Sequence, residues 1–311
     1  MKGLVIKNTG SWYIVRGDDG REIPCKIKGN FRLRGIRSTN PIAVGDRVEF
    51  LTNQEGTAFI TEIEDRRNYI IRKASNLSKQ SHILAANVDQ VILFITLRQP
   101  ETSTTFIDRF LASAEAYRIP VVLLFNKCDL FDDSDRSIVE TLKTIYEPMG
   151  YRCFVTSVTR GIGLDAVPLL LEQRVTLLAG HSGVGKSAFI NRFVPGADAR
   201  TSEVSEAHQA GMHTTTFSEL YTLPTGGGSL IDIPGVKGFG TFDFEPTEVS
   251  HYFRDIFEIG HQCRFSDCLH QNEPGCAVRA ALDEGRLAAS RYDSYVSMLG
   301  DKDESKYREA F

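Results

Sequence analysis

Residues Gly180, His181, Ser182, Gly183, Val184, Gly185, Lys186 and Ser187 form a full match to G-x-x-x-x-G-K-[ST]. Glycines in that pattern let backbone N–H groups converge on phosphate oxygens with no Cβ in the way. A helix opening at Lys186 adds unpaired N–H groups and its dipole. Lys186 is then the expected partner of the β and γ phosphates, and the Ser187 hydroxyl a ligand of Mg²⁺. A second set, Asn126-Lys127-Cys128-Asp129, follows the apolar run VVLLF. The Asp129 carboxylate can accept both the ring N–H and the amino group of guanine. Adenine has no matching donor pair, and an unpaired buried polar group costs about 1–3 kcal/mol. Asn126 should brace the base and loop, and the Lys127 stem should lie along the ring. Thr156-Ser157-Val158 is the expected source of a backbone N–H for the guanine carbonyl, with Ser157 at its centre.

Two further segments suit switches that sense the γ-phosphate. Asp232-Ile233-Pro234-Gly235 closes LIDIPG. Asp232 can hold a water of the Mg²⁺ shell, and the Gly235 N–H can touch the γ-phosphate. In His213-Thr214-Thr215-Thr216, one hydroxyl should complete the Mg²⁺ shell; Thr215 is the choice, with the register open by one residue. Val236 stands where signalling GTPases carry a water-positioning glutamine. Turnover should therefore be slow until a partner completes the site, with His213 the in-chain candidate to assist.

Cys263-x₄-Cys268-x-His270-x₅-Cys276 offers three thiolates and one imidazole. That set suits one tetrahedral Zn²⁺, and four protein ligands leave no open catalytic position. The expectation is a structural metal whose binding supplies folding energy to loops poor in apolar residues. His261, and less so His251, are the alternative imidazoles.

The elements that must position these groups differ along the chain. Residues 1–72 carry short alternating segments (4–6, 12–15, 47–50, 58–63) between Gly/Asp/Asn turns, which reads as a β-barrel of about five strands. They hold 13 Lys plus Arg against 9 Asp plus Glu, a net of +4, while the remainder holds 23 against 31, a net of −8. The basic excess peaks at Arg21, Lys26, Lys28, Arg32, Arg34 and Arg37 against Glu22 alone. A net charge of −4 argues against whole-molecule attraction to nucleic acid. A basic front segment points instead to one anionic partner docked locally. Residues 73–241 alternate apolar strands (88–95, 121–125, 153–155, 175–179) with helical stretches (107–117, 138–146, 164–171). This is the pattern of a mostly parallel sheet covered on both faces. Residues 197–216 read as a polar loop, and 217–223 with 229–233 as a strand pair. From 242 onward, Cys- and His-bearing turns separate helices, with 277–299 read as helical and Gly285 its weak point. No window is long and apolar enough to span a membrane, and MKGLVIKNTG lacks a secretory h-region, so a cytoplasmic monomer is the expectation.

The base reader precedes the phosphate cradle, the reverse of the usual order. A parallel sheet cut in one connection and rejoined at its old ends can keep the same strand neighbours. The combined text GDRVEF, RKAS, AANVDQVILF, NKCD, GHSGVGKS, GMHTTT, LIDIPGVKGFG and CRFSDCLHQNEPGCAVRAA resembles the bacterial small-subunit-dependent GTPases of the RsgA or YjeQ family. The resemblance implies an oligonucleotide-binding-type barrel, a circularly permuted P-loop GTPase domain and a zinc-bearing helical domain. It implies GTP hydrolysis stimulated by the small (30S) ribosomal subunit, contact with its rRNA near the decoding region, and help in releasing an assembly factor late in maturation. It gives Asn126, Lys127 and Asp129 the guanine role, Gly180 to Ala188 the phosphate role, and Cys263, Cys268, His270 and Cys276 the zinc role. Met212, at a position often basic in the family, and D-I-P-G in place of D-T-P-G are the departures. The competing readings are a permuted GTPase with a non-ribosomal partner, a nucleic-acid adaptor with a vestigial NTPase site, and an ATPase.

Overall fold

The computed structural model describes residues 1–10, 12–27, 41–53, 57–73, 81–199, 218–233 and 244–300. Lys28, Arg32, Arg34, Arg37, His213, Thr215 and Gly235 lie outside the described residues.

Strands β1 (Lys2–Asn8), β2 (Tyr13–Gly17), β3 (Glu22–Ile27), β4 (Arg47–Thr52) and β5 (Ala58–Ile63) pair in the order β1-β2-β3-β5-β4, and β4 returns to β1. The pairing closes a five-stranded barrel, which leaves no free edge among these strands. Alternation explains it: Val5, Tyr13, Val15, Cys25, Val48, Phe50, Ala58 and Ile60 all point inward and are buried. Asp46, fully buried, caps the backbone at Ala43 and receives two hydrogen bonds of 2.6 Å from Arg66.

Strands β6 (Tyr69–Lys73) and β7 (Ser81–Ala86) form a separate antiparallel hairpin that sequence patterning missed. The expected change of texture at 72–73 thus falls inside β6. The hairpin is held to the barrel by Ala86 N–H donating to the Val44 carbonyl. Gly45, at φ +92°, allows this approach, since a Cβ there would sit 2.1 Å from the Ala86 oxygen.

Strands β8 (Gln90–Ile95), β9 (Val121–Phe125), β10 (Arg152–Val155), β11 (Val175–Ala179), β12 (Ser218–Thr222) and β13 (Ser229–Asp232) form the nucleotide-domain sheet in the order β10-β9-β8-β11-β13-β12. All neighbours are parallel except β12, which is antiparallel to β13. The central strands β8, β9 and β11 are mostly apolar and buried because both faces are covered. Val91, Leu93 and Ile95 join the core beneath α1 (Thr104–Ala116) and α2 (Asp133–Tyr146). Ile92 and Phe94 join the opposite core under α3 (Val167–Leu171) and α4 (Lys186–Phe193). At its other edge β12 pairs antiparallel with β1, placing Lys7 opposite Glu219, so the sheet runs into the barrel.

Helices α5 (Pro246–Val249), α6 (Arg254–Gly260), α7 (Ala277–Asp283) and α8 (Ala289–Leu299) build the C-terminal module. The single helical stretch expected over 277–299 is two helices, because Gly285 takes φ +71° and turns the chain. The helices of this module have an apolar core of their own beside the metal-ligand loops. Val249, Phe253, Ile256, Val278, Ala281, Leu287 and Tyr295 bury one another, and Ala112 of α1 joins them.

Candidate active site and metal centre

Parallel strands send all their C-terminal ends to one edge of a sheet, and ligands of open α/β sheets bind there. The motifs follow those ends: Asn126 after β9, Thr156 after β10, Gly180 after β11, with Asp232 ending β13. The fold therefore brings together segments spread over more than one hundred residues of sequence.

The phosphate loop needs its glycines for two close approaches. Gly180 has φ +130°, and a Cβ there would lie 2.7 Å from the Phe94 carbonyl oxygen of β8. Gly185 has φ +109°, and a Cβ would lie 2.4 Å from Asn126 Nδ2. That second approach brings two loops into contact. Asn126 Nδ2 donates to the Val184 carbonyl at 2.8 Å, and Asn126 Oδ1 accepts from Val158 N at 3.1 Å and Thr156 Oγ1 at 3.2 Å. One buried amide thus ties the phosphate loop to both guanine-side loops. Its partners use both its donor and its acceptor ends.

Lys186 Nζ donates 2.7 Å hydrogen bonds to the carbonyls of Gly180 and His181. Burial pushes this ammonium below its ordinary pKa, and the negative charge of Asp232 works the other way. Burial pushes the Asp232 carboxyl above the ordinary carboxylate range, against the attraction of Lys186. Asp232 Oδ1 is buried and has no hydrogen-bond partner among the described residues. A buried acceptor facing a phosphate-binding lysine fits a hydrated cation, which would supply the missing donor. Ser182, Gly183, Ser187 and Ala188 complete the loop and first turn of α4.

Asp129 is exposed on a short 3₁₀ turn at the mouth of the site. Lys127, at φ +66°, sends its ammonium to the Gln99 carbonyl, and burial lowers its pKa. Thr156-Ser157-Val158, the expected source of a base contact, sits against Asn126. Their backbone N–H groups go to Phe125 O, Ile162 O and Asn126 Oδ1. Ser157 is fully buried, and all three donors are already used within the chain. A three-residue text cannot reveal these partners, since the acceptors come from the end of β9, from Asn126 beyond it and from the 161–163 turn.

Two features escaped sequence reasoning. Phe106 of α1 packs on His181 with ring centroids 4.1 Å apart. Farther along α1, buried Asp108 accepts from Arg291, Ser294 and Tyr146 at 2.7–2.8 Å. Arg291 also makes two 2.8–2.9 Å bonds to Asp255. Asp108 amid the apolar text of IDRFLASA was the available signal.

Of the barrel's basic candidates, Arg21 pairs with Asp19 at 2.7 Å, and Lys26 lies 4.3 Å from the centre of the Trp12 ring.

In the C-terminal module, the donor atoms of Cys263, Cys268, His270 and Cys276 all lie within 4.8 Å of one another. His270 Nδ1 is 3.5 Å from the sulfurs of Cys263 and Cys276, which are 4.0 Å apart. A tetrahedron with Zn–S of about 2.3 Å and Zn–N of about 2.0 Å has S···N edges of about 3.5 Å and S···S edges of about 3.8 Å. The residues fit the ion. Ala277 N–H donates to Cys263 Sγ and Arg279 N–H to Cys276 Sγ, bonds that favour thiolates. Burial pushes the Cys268 thiol up to about 12 and lowers the His270 pKa. The latter keeps the imidazole neutral, as a ligand must be. Tyr292 and Tyr295 hydroxyls hold the carbonyls of His270 and Leu269. The alternative imidazoles His261 and His251 instead pack on Phe257, at 4.6 and 5.3 Å.

Comparison with known proteins agrees with this geometry. Residues 63–242 match the RsgA GTPase family model, and residues 2–60 match the RsgA N-terminal domain. The chain is 62% identical to the small ribosomal subunit biogenesis GTPase RsgA of Bacteroides fragilis, over the whole of both chains. Among solved structures it is similar to YjeQ from Thermotoga maritima, at TM-score 0.75 and 36% identity over 96% of each chain. It is also similar to YloQ, a circularly permuted GTPase, at TM-score 0.68 and 29% identity over 96% of this chain and 93% of that one.

Proposed function

Because the chain belongs to the RsgA GTPase family, we propose that it hydrolyses GTP to GDP and phosphate in the biogenesis of the small ribosomal subunit. The observation that carries this reading is the meeting of guanine reader, phosphate loop and Asp232 at one edge of a permuted parallel sheet, with a Cys₃His cluster in the same chain. Guanine selection falls to Asp129, the positioning of the loops to Asn126, and phosphate charge to Lys186. Ser187 and Thr215 would ligate Mg²⁺, Asp232 would order its hydration, and the Gly235 N–H would report the γ-phosphate. His213 is the in-chain candidate for orienting the attacking water. Bound Mg²⁺ would neutralise charge developing on the phosphate oxygens. One structural zinc on the four ligands would brace the C-terminal module, with no part in hydrolysis.

The partner in this reading is the small subunit and its rRNA, with release of an assembly factor as the output, in the cytoplasm. No helix among the described residues is long and apolar enough to cross a membrane. The test is GTP turnover with and without purified small subunits. Strong stimulation, and a complex that survives with a non-hydrolysable GTP analogue, are expected. Turnover indifferent to the subunit would sink the ribosomal reading, and ATP competing equally with GTP would sink the guanine one.

A further inference from the structure

The chain contains a single tryptophan, and it is not in a core. Trp12 keeps 36% of its surface exposed at the start of β2. The β2–β3 register pairs Tyr13 with Cys25, whose side chains point into the barrel; extending it by one step sets Trp12 opposite Lys26 on the outer face. Lys26 places its ammonium 4.3 Å from the indole centre. The approach to the ring is fixed by the preceding turn. Thr9 N–H donates to the Trp12 carbonyl at 2.9 Å, Thr9 Oγ1 accepts from Trp12 N–H at 3.3 Å, and Asn8 Oδ1 accepts from Gly10 N–H at 2.9 Å. A partly exposed aromatic beside a cation is a platform on which a ring can stack.

Next to it lies a cleft of about 500 Å³ where barrel and nucleotide domain meet, lined by Ile6, Lys7, Thr9, Ile14, Glu22 and Glu219. Thr9 is shared with the Trp12 turn, and Ile14 lies two residues along β2 on the same face. The two carboxylates are already matched, Glu219 by Lys7 at 3.0 Å and Glu22 by Arg16 at 2.9 Å. They offer neutralised acceptors to amino and imino groups. A bare phosphate would gain little there, while Lys26 supplies a cation beside Trp12. The chemistry sorts itself: an aromatic ring, hydrogen-bond acceptors in the cleft, and a cation beside the ring.

We propose that Trp12, Lys26 and the adjoining cleft form a subsite for one unpaired RNA nucleotide, with its base stacked on the indole and its phosphate directed to Lys26. This rests on the ribosomal reading and deepens it by naming a contact. Bases of any type present a π-face, so the subsite should select for an unstacked nucleotide more than for its identity. β12, which pairs with β1 at this cleft, begins two residues after Thr216, so an occupied subsite would lie against the strand that leaves the threonine switch.

The single tryptophan makes the test direct. The full chain is titrated with an unlabelled single-stranded oligoribonucleotide while Trp12 emission is followed. Affinities come separately from anisotropy of a labelled one. Emission should be quenched on binding. Trp12→Ala should weaken binding about five- to a hundred-fold, as loss of one base stack does, while Trp12→Phe retains most of it. Lys26→Gln should reduce the slope of log affinity against log salt by about 0.7, the loss of one phosphate contact. Thermal unfolding checks that each variant is folded. RNA binding with unchanged Trp12 emission, and Trp12→Ala within twofold of the parent, would overturn the subsite. So would emission that answers to RNA-free subunit proteins but not to RNA, or no RNA binding at all by the parent chain. In each of those cases, stimulation of the parent's GTP turnover by whole subunits still decides the ribosomal reading independently.

Discussion

At the scale of single residues, the site's chemistry depends on how burial sets charge. Asp232 can order a cation's hydration only when ionised. Burial raises its pKa, so protonation begins at a higher pH than for a solvated carboxylate. The affinity for Mg²⁺-nucleotide should therefore climb as pH rises through that raised value and level off above it. Asp232→Asn should flatten this component, leaving only the titration of the nucleotide itself. Isothermal titration of the parent and the variant across the acidic to neutral range measures the difference, and identical pH profiles would remove Asp232 from metal binding. Asn126 illustrates another residue-scale point. Its amide has no charge, yet it holds three loops through Val184, Thr156 and Val158. It constrains the relative position of these loops more directly than Lys127, whose ammonium is turned to Gln99.

At the scale of elements, α1 links the phosphate loop to the C-terminal module. Its first turn packs Phe106 on His181 of the phosphate loop, and its middle anchors Asp108 to Arg291 of α8. Arg291 is almost fully buried and also clasps Asp255 of α6. Burial opposes its charge, but the two carboxylates hold its pKa far up. Such a cluster need not be more stabilising than an apolar one, yet removing one member leaves charge stranded in the interior. Arg291→Ala should cost about 3–5 kcal/mol in urea unfolding. Ser294→Ala, which removes one neutral donor to Asp108, should cost about 1–2 kcal/mol. Equal, small losses for both would mean that water reaches Asp108. The half-buried Lys7–Glu219 pair at the β1–β12 seam, still open to solvent, is of a different kind, worth about 0–1 kcal/mol.

At the scale of the whole molecule, the nucleotide sheet is flanked by two modules attached by different means. The barrel is joined by backbone pairing of β1 with β12. The C-terminal module is joined by side chains, the Asp108–Arg291–Asp255 cluster and Arg254 bonded to Glu115 and Met149. Its own core is real but small, and the four metal ligands close its far side. Metal removal should accordingly loosen the module without dismantling the sheet. A strong chelator should release one zinc per chain and lower helicity in the far-ultraviolet, with GTP binding retained. Loss of nucleotide binding in step with zinc would show that the two sites fold as one unit.

How much of this was legible beforehand follows the range of each interaction. Local text determined the motifs, because phosphate loops and metal knuckles draw their groups from short stretches. It also determined the strands β8, β9 and β11, whose apolar runs have no polar alternative. Closure of a barrel and alternation into a covered sheet were readable from periodicity alone. Only the tertiary structure decided matters that depend on distant partners. The β6–β7 hairpin straddles what reads as a boundary, the 277–299 stretch breaks at Gly285, and Asp108 meets an arginine far along the chain. Above all, it decided the partners of particular backbone donors. Sequence places Thr156, Ser157 and Val158 after a strand, and the fold sets Phe125 O, Ile162 O and Asn126 Oδ1 against their N–H groups. A hydrogen bond is committed by whatever stands within about 3 Å of it, and that neighbour is a property of the fold.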